Sequence, residues 1–325
     1  MGLDRGGLKT WSLLSGNKKR PSEYEIVTYK LHSRNRDPDQ AYEQGPDSMM
    51  NQWYRKYVRD SLLQHPDWDA FRDPDQITYR SYNAMQDAHE EYVDGVIKNH
   101  VNNEHDSKLL PEWVDKLAVY YTPLRYLMTT LQMASAYIVQ MAPSSTITNC
   151  AAFQETDAFR WVSRIAFRTK QLSLTYPELS FVTGERQQWE DNPVWQGFRE
   201  LMEKALTTYD WAENLFVVNV IAARVIDQAI QQLGQAAQLQ GDTLTAMLCD
   251  AQLADSERSR RWTLAWVKLA LENESNVDVL AQWKAKWTPL AEQAIEAYSA
   301  GLLNSDALQE AKTNIEKFYV DAGLV

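Results

Sequence analysis

Between Arg125 and Glu155 the chain carries no charged side chain, and apolar residues recur three and four apart on both sides of Pro143. Leu127, Leu131, Ala134, Ile138 and Met141 lie before the proline, and Phe153, Trp161 and Ile165 after it. That spacing is the period of a helix, and the missing charge means that at least the first helix is covered nearly all round. Pro143 removes a backbone donor and stops helix continuation, and Ser144, Ser145 and Thr146 suit the start of the next helix. The stretch predicts two long, buried, antiparallel helices at the centre of a large bundle. The second turns amphipathic after Glu155, with Arg160, Arg164, Arg168 and Lys170 along it. Its length would also span a bilayer, but Gln132, Gln140, Asn149 and the Pro-Ser-Ser-Thr break favour a core helix in water.

The remainder of the chain reads the same way. Helices are expected from Asp75 or Thr78 to about 104, from Pro111 through Tyr121, from Pro123 to Met141 and over about 146–175. A loop with Gly184 and a small helix near Arg186–Asp191 should follow. Pro193 then opens a long helix whose apolar core begins at Leu215, ends near Arg224 and continues in register through Leu233. Asp242 or Thr243 caps a helix to about 273, and Asn276–Leu303 and Asp306–Val320 are the last two. Residues 1–75 are less regular. Tyr24, Ile26 and Thr28 alternate like a short extended segment, Met49–Leu63 could be a short helix with Trp53, Tyr57 and Leu62 on one side, and Asp37-Pro38-Asp39, Gly45-Pro46-Asp47 and Asp73-Pro74-Asp75 are turn formers. The division expected is an N-terminal arm over 1–75, lying at a subunit interface, and a helical bundle over 76–325.

A formal charge of −11 and an isoelectric point near 5.0 speak against a nucleic-acid surface, and the run Lys18-Lys19-Arg20 is too short to alter this. Two distant cysteines, Cys150 and Cys249, exclude a disulfide framework and fit a reducing cytoplasm, and the N-terminus has no apolar leader. Twelve tryptophans and sixteen tyrosines suit a core or a large protein interface. No glycine-rich phosphate loop, GxSxG or CxxC motif occurs.

Long helices joined by short turns suggest a ferritin-like bundle, which can house two metal ions on two lone glutamates and two Glu-x-x-His pairs. The five histidines are His32, His65, His89, His100 and His105, and none follows an acid three residues earlier. The helices that should carry such pairs contain no histidine. What remains there are carboxylates, Asp157, Asp210, Glu213, Asp255 and Glu257, with Arg160, Arg164, Arg258 and Arg260 as expected ion-pair partners.

Longer motifs carry a resemblance. They are KTWSLL at Lys9–Leu14, RPSEYEIV at Arg20–Val27, the segment Trp68–Asp87, the segment Tyr120–Cys150, FRW at Phe159–Trp161, PVWQGFRELMEKAL at Pro193–Leu206, Asp210-Trp211, and DSERSRRW at Asp255–Trp262. Over nearly its whole length the chain resembles the beta subunit of the hydroxylase of bacterial multicomponent di-iron monooxygenases, in the toluene and isoprene/alkene branch. The resemblance implies an all-α, ferritin-like fold and a dimer of alpha-beta-gamma protomers, with the di-iron centre in alpha alone. In alpha, D-E-x-R-H segments on two helices supply ligands. The matching segments here, Asp157–Trp161 and Asp255–Ser259, place Ala158 and Ser256 at the glutamate positions and Trp161 and Ser259 at the histidine positions. No catalytic, cofactor-binding or metal-ligating residue is therefore expected in this chain. The complex would hydroxylate or epoxidise small aromatic or alkene hydrocarbons with O2 and NADH, through a reductase, a Rieske ferredoxin and an effector protein. Trp11, Tyr24, Trp53 and Tyr54 are expected to contact alpha. The competing readings are a helical scaffold or adaptor of another complex and a small carboxylate-bridged metalloenzyme.

Overall fold

The computed structural model describes residues 22–29, 49–303 and 305–324, and every regular element among them is helical. Trp11, Lys18-Lys19-Arg20, His32 and the turn formers at 37–39 and 45–47 lie outside the described residues. Local chemistry sets most helix starts. In α1 (Glu23–Thr28) the Ser22 hydroxyl accepts from the Glu25 N–H while the Glu25 carboxylate accepts from the Ser22 N–H. This reciprocal cap turns the segment that alternates like a strand into a helix, with Tyr24 and Thr28 buried on one face. In α2 (Met49–Tyr54), continued by a π-helical turn over Arg55–Arg59, Trp53 and Tyr57 do share a side. Leu62 does not join them. It is 68% exposed, and Leu63 is the buried residue.

Thr78 caps α3 (Tyr79–Asn102), and Pro111 opens α4 (Pro111–Tyr120). α5 (Leu124–Met141) and α6 (Ser145–Thr175) are separated by a turn at Ala142–Ser144, where the expected break falls, with Ser144 accepting from the Thr146 N–H. Ala142 is extended, as the residue before a proline should be. α7 (Phe181–Asp191) begins earlier than expected, so Gly184 lies inside a helix and not in a loop.

The largest departure is in the helix opened by Pro193. α8 (Pro193–Leu206) stops, and a new helix starts as α9 (Trp211–Leu215), runs through a π-helical stretch at Phe216–Ala222 and continues as α10 (Ala223–Leu239). The break is made by Asp210, whose carboxylate accepts from the N–H groups of Ala212 and Glu213, and by Asn214, which donates back to the carbonyls of Ala205 and Thr208. The apolar core therefore belongs to the second helix and runs past Arg224. α11 (Thr243–Leu271), α12 (Asn276–Ser299) and α13 (Ser305–Ala322) complete the chain.

α5 lies against α6, α10 against α11, and α8 against α12. Side-chain contacts give the directions. Gln86–Asp255 and His100–Thr243 make α3 antiparallel to α11, and Arg224–Ser259 and Asp227–Ser256 do the same for α10 and α11. The N-terminal elements rest on this bundle. Ser145 Oγ donates to the Thr28 carbonyl at 2.6 Å, and the Tyr24 hydroxyl accepts from the Asp73 N–H at 3.0 Å. Trp53 Nε1 donates to the Tyr137 hydroxyl, and the Tyr54 hydroxyl to the Gln140 carbonyl. Tyr24, Trp53 and Tyr54, expected at a partner's surface, thus have polar partners within their own chain.

The start of α11 is held by a buried carboxylate. Asp242 accepts from the Thr245 N–H at 2.9 Å, Trp113 Nε1 at 2.9 Å and His105 Nε2 at 3.0 Å. Burial alone would raise its pKa, but these donors outweigh burial and hold the carboxyl down at about 2. A carboxyl lowered in the folded state stabilises above its unfolded pKa near 3.8 and loses that contribution as pH falls towards about 2. Asp242→Asn should therefore lower the urea midpoint at neutral pH. The gap from the parent should narrow steadily between about pH 4 and about pH 2. A gap independent of pH would contradict the assignment.

Candidate functional site

α5, α6, α10 and α11 line a small, partly open cavity of about 40 Å³. α6 contributes Ala158 and Trp161, and α11 contributes Ser256 and Ser259, each pair three residues apart on one helical face. α5 supplies Met128 and Leu131, and α10 supplies Ala223, Ile226, Asp227 and Ile230. This is the layout in which ferritin-like proteins set a metal centre, with i, i+3 pairs from two helices and single residues from two others. The four positions aligned with ligand residues therefore do come together. The side chains there are a methyl group, an indole and two hydroxymethyl groups, which do not fit a di-iron centre needing carboxylates and imidazoles.

The neighbouring carboxylates face arginines. Asp157 accepts from the Tyr82 hydroxyl at 2.7 Å and Gln86 Nε2 at 3.0 Å and pairs with Arg258. Burial pushes its carboxyl up to about 6, with Arg258 opposing and Asp255 adding to the rise. Asp255 accepts from Trp161 Nε1 at 2.8 Å and Gln86 Nε2 at 3.0 Å, lies 3.2 Å from His89 Nδ1, and pairs with Arg160 at 3.4 Å. Burial would raise this carboxyl as well, but His89, Gln86, Arg160 and Trp161 together hold it below the ordinary carboxylate range. Asp227 lies 3.1 Å from Arg224, a guanidinium that is itself buried. The charges around the cavity are thus compensated by protein cations. Among the described residues, no three His, Cys, Asp or Glu side chains are placed to hold a metal ion.

The other expected carboxylates do not reach this centre. Asp210 caps α9 and accepts from Ser61, and Glu213 binds Lys286 and Trp287. Glu257 is not on the core side at all: its side chain is 51% exposed beside Arg260. Arg164 pairs with Glu90 and Asp94 of α3 rather than with any of the five.

Two features have no counterpart in the sequence reading. Next to the cavity, Gln154 donates to Ser135 and Asn219, and Asn219 donates to Gln154 and Thr263. These buried bonds join α5, α6, the π-helical stretch and α11. A lone Asn in the apolar run Phe216–Ala222 was the available signal. The π-helical stretch is the second, and it ends where the cavity-lining residues of α10 begin.

A bundle of this kind, with its centre between four helices, defines a class, and the comparisons agree. The methane/phenol/alkene hydroxylase family model matches residues 50–274, and the chain belongs to that family. Over 302 residues it is 48% identical to the toluene-4-monooxygenase hydroxylase component subunit beta of Ectopseudomonas mendocina, covering 93% of this chain and 92% of that one. It is 25% identical over 263 residues to the phenol 2-monooxygenase oxygenase component DmpL of Pseudomonas sp. strain CF600, covering 78% and 76%. Among solved structures, a chain of toluene 4-monooxygenase with toluene bound in its resting active site superposes with a TM-score of 0.87. That match has 45% identity and covers 94% of this chain and 99% of that one. A chain of xenon-pressurised phenol hydroxylase from Pseudomonas sp. OX1 shares the fold, with a TM-score of 0.81 at 21% identity over 94% and 91%.

Proposed function

We propose that this chain is the non-catalytic beta subunit of an (alpha-beta-gamma)2 hydroxylase whose di-iron centre is in the alpha subunit. The observation that carries the reading is the pairing of Ala158 with Trp161 and Ser256 with Ser259 around one small cavity. Those are the positions where a ligand set would stand, and they hold no group able to grip iron. The 48% identity to a hydroxylase beta subunit supports the partnership. In this reading the complex takes O2 and electrons from NADH, delivered through a reductase and a Rieske ferredoxin and adjusted by an effector protein. It oxidises small aromatic or alkene hydrocarbons. This chain supplies form, with residues 1–75 as an arm and 76–325 as the bundle. A cytoplasmic place fits two buried free thiols, Cys150 and Cys249, and no helix among the described residues is long and apolar enough to cross a membrane.

The chain purified alone should contain no stoichiometric iron and turn over no hydrocarbon. Mixed with alpha and gamma partner chains, it should co-elute and restore NADH-dependent oxidation. Iron bound to the isolated chain in proportion to protein, or full activity without it, would overturn the assignment.

A further inference from the structure

The wall of the central cavity carries buried polar atoms whose bonding is incomplete. Asp227 is 3% exposed and lines the space, and its Oδ1 accepts from Ser256. Among the described residues no hydrogen bond reaches its Oδ2. Arg224 Nη1 lies 3.1 Å from that oxygen but is not aligned on it, and Arg224 Nε has no hydrogen-bond partner either. On α11 the buried Gln252 also lines the cavity, and its NH2 group rests on a weak acceptor, the Met128 sulfur at 3.2 Å. The Ser256 and Ser259 hydroxyls each donate within the chain and keep capacity to accept.

Buried groups left in this state are completed by ordered water, and each such water needs two to four polar partners. The wall provides them: an acceptor at Asp227 Oδ2, a donor at Gln252 Nε2, and hydroxyl acceptors at Ser256 and Ser259. The choice between water and an ion is made by charge. Asp157, Asp255 and Asp227 face Arg258, Arg160 and Arg224 respectively, and Arg260 stands 3.6 Å from Asp227 as well. No surplus charge of either sign is left to hold an ion, whereas a water supplies both the donor that Asp227 lacks and the acceptor that Gln252 lacks.

We propose that this cavity binds a small cluster of ordered waters, hydrogen-bonded to Asp227 Oδ2 and the Gln252 amide, where a related bundle would hold its metal. One buried water occupies about 10–15 Å³ of such space, so the cavity takes about two or three. The waters join α10 to α11 through Asp227 and Gln252, and the partly open wall lets them exchange with solvent. The inference rests on the metal-free reading of the centre, because an iron pair would displace them.

The test is a crystal structure of the assembled hydroxylase at a resolution that orders buried water. The crystals are soaked in rubidium chloride, and anomalous data are collected at the iron and rubidium edges. Waters without anomalous signal are expected at hydrogen-bond distance from Asp227 Oδ2 and from Gln252 Nε2. Gln252→Leu should lose the water at the amide and keep the one at Asp227. The parent structure decides the matter even if that variant does not fold. A cavity without water density, or Arg224 swung onto Asp227 Oδ2 with no water between, overturns the water site. A rubidium peak there also overturns it, and in each of these cases the iron-free reading stands. An iron peak at the same place overturns both.

Discussion

Gly197→Ala should destabilise the chain by about 3 kcal/mol or more, at the upper end of what overpacking costs. A Cβ at this position would lie 2.6 Å from the Ala294 Cα, 2.9 Å from its nitrogen and 3.1 Å from the Gln293 carbonyl carbon. All three are backbone atoms of α12, so no rotamer change relieves the contact. α8 and α12 would have to separate, and with them Trp195 and Phe198 from Tyr298, whose rings meet at 5.3 and 5.9 Å. The control is Gly95→Ala. Nothing lies within 4 Å of the added methyl there, and removing a glycine from a helix interior should stabilise by about 0.5–1 kcal/mol. Chemical denaturation of both variants gives the comparison. A Gly197→Ala chain as stable as its parent would show that these helices are not in backbone contact.

Arg168→Ala should cost about 3–5 kcal/mol, the usual consequence of leaving a buried charge without its partner. Arg168 is fully buried on α6 and grips both oxygens of Asp106 at 2.5 and 2.6 Å. Asp106 begins the 3₁₀ turn that follows α3, and its carbonyl accepts from the Tyr176 hydroxyl at the far end of α6. The pair therefore ties the connection between α3 and α4 to the helix it crosses. Arg168→Met combined with Asp106→Asn removes both charges and keeps much of the volume, and should recover over half of the loss. A double variant no more stable than Arg168→Ala would mean that the cost comes from lost packing alone.

The architecture was legible where one residue decides. Pro143 breaks a charge-free run, Pro111 and Pro123 open helices, Asp242 caps one, and the lack of histidine beyond residue 105 speaks against a self-contained di-iron site. Each of these acts through its own backbone or its own ligand chemistry. What stayed hidden depends on distant partners. Gly197 looks like a mild helix weakness until α12 is laid against it. Residues 207–210 do not declare a break, because Asn214 closes it from inside the next helix. The segment at Tyr24–Thr28 misled because a two-residue alternation and a four-residue repeat select the same residues over so short a span, and the Ser22–Glu25 cap decides between them. At the centre, Ala158, Trp161, Ser256 and Ser259 were reachable only through resemblance. Asp227 and the Gln154–Asn219 pair had no signal beyond being polar in apolar surroundings.

The Gln154–Asn219 amide pair, with Ser135 and Thr263 on either side, has a consequence for how such a complex is made. In a metal-bearing bundle, helix alignment and ion loading are thermodynamically linked, so the fold weakens when the ion is scarce. Here the alignment is written in side-chain amides and hydroxyls, which are present as soon as the chain is synthesised. Under the proposed assignment, a cell short of iron would still accumulate this subunit in its final shape, ready for a partner that waits for its metal.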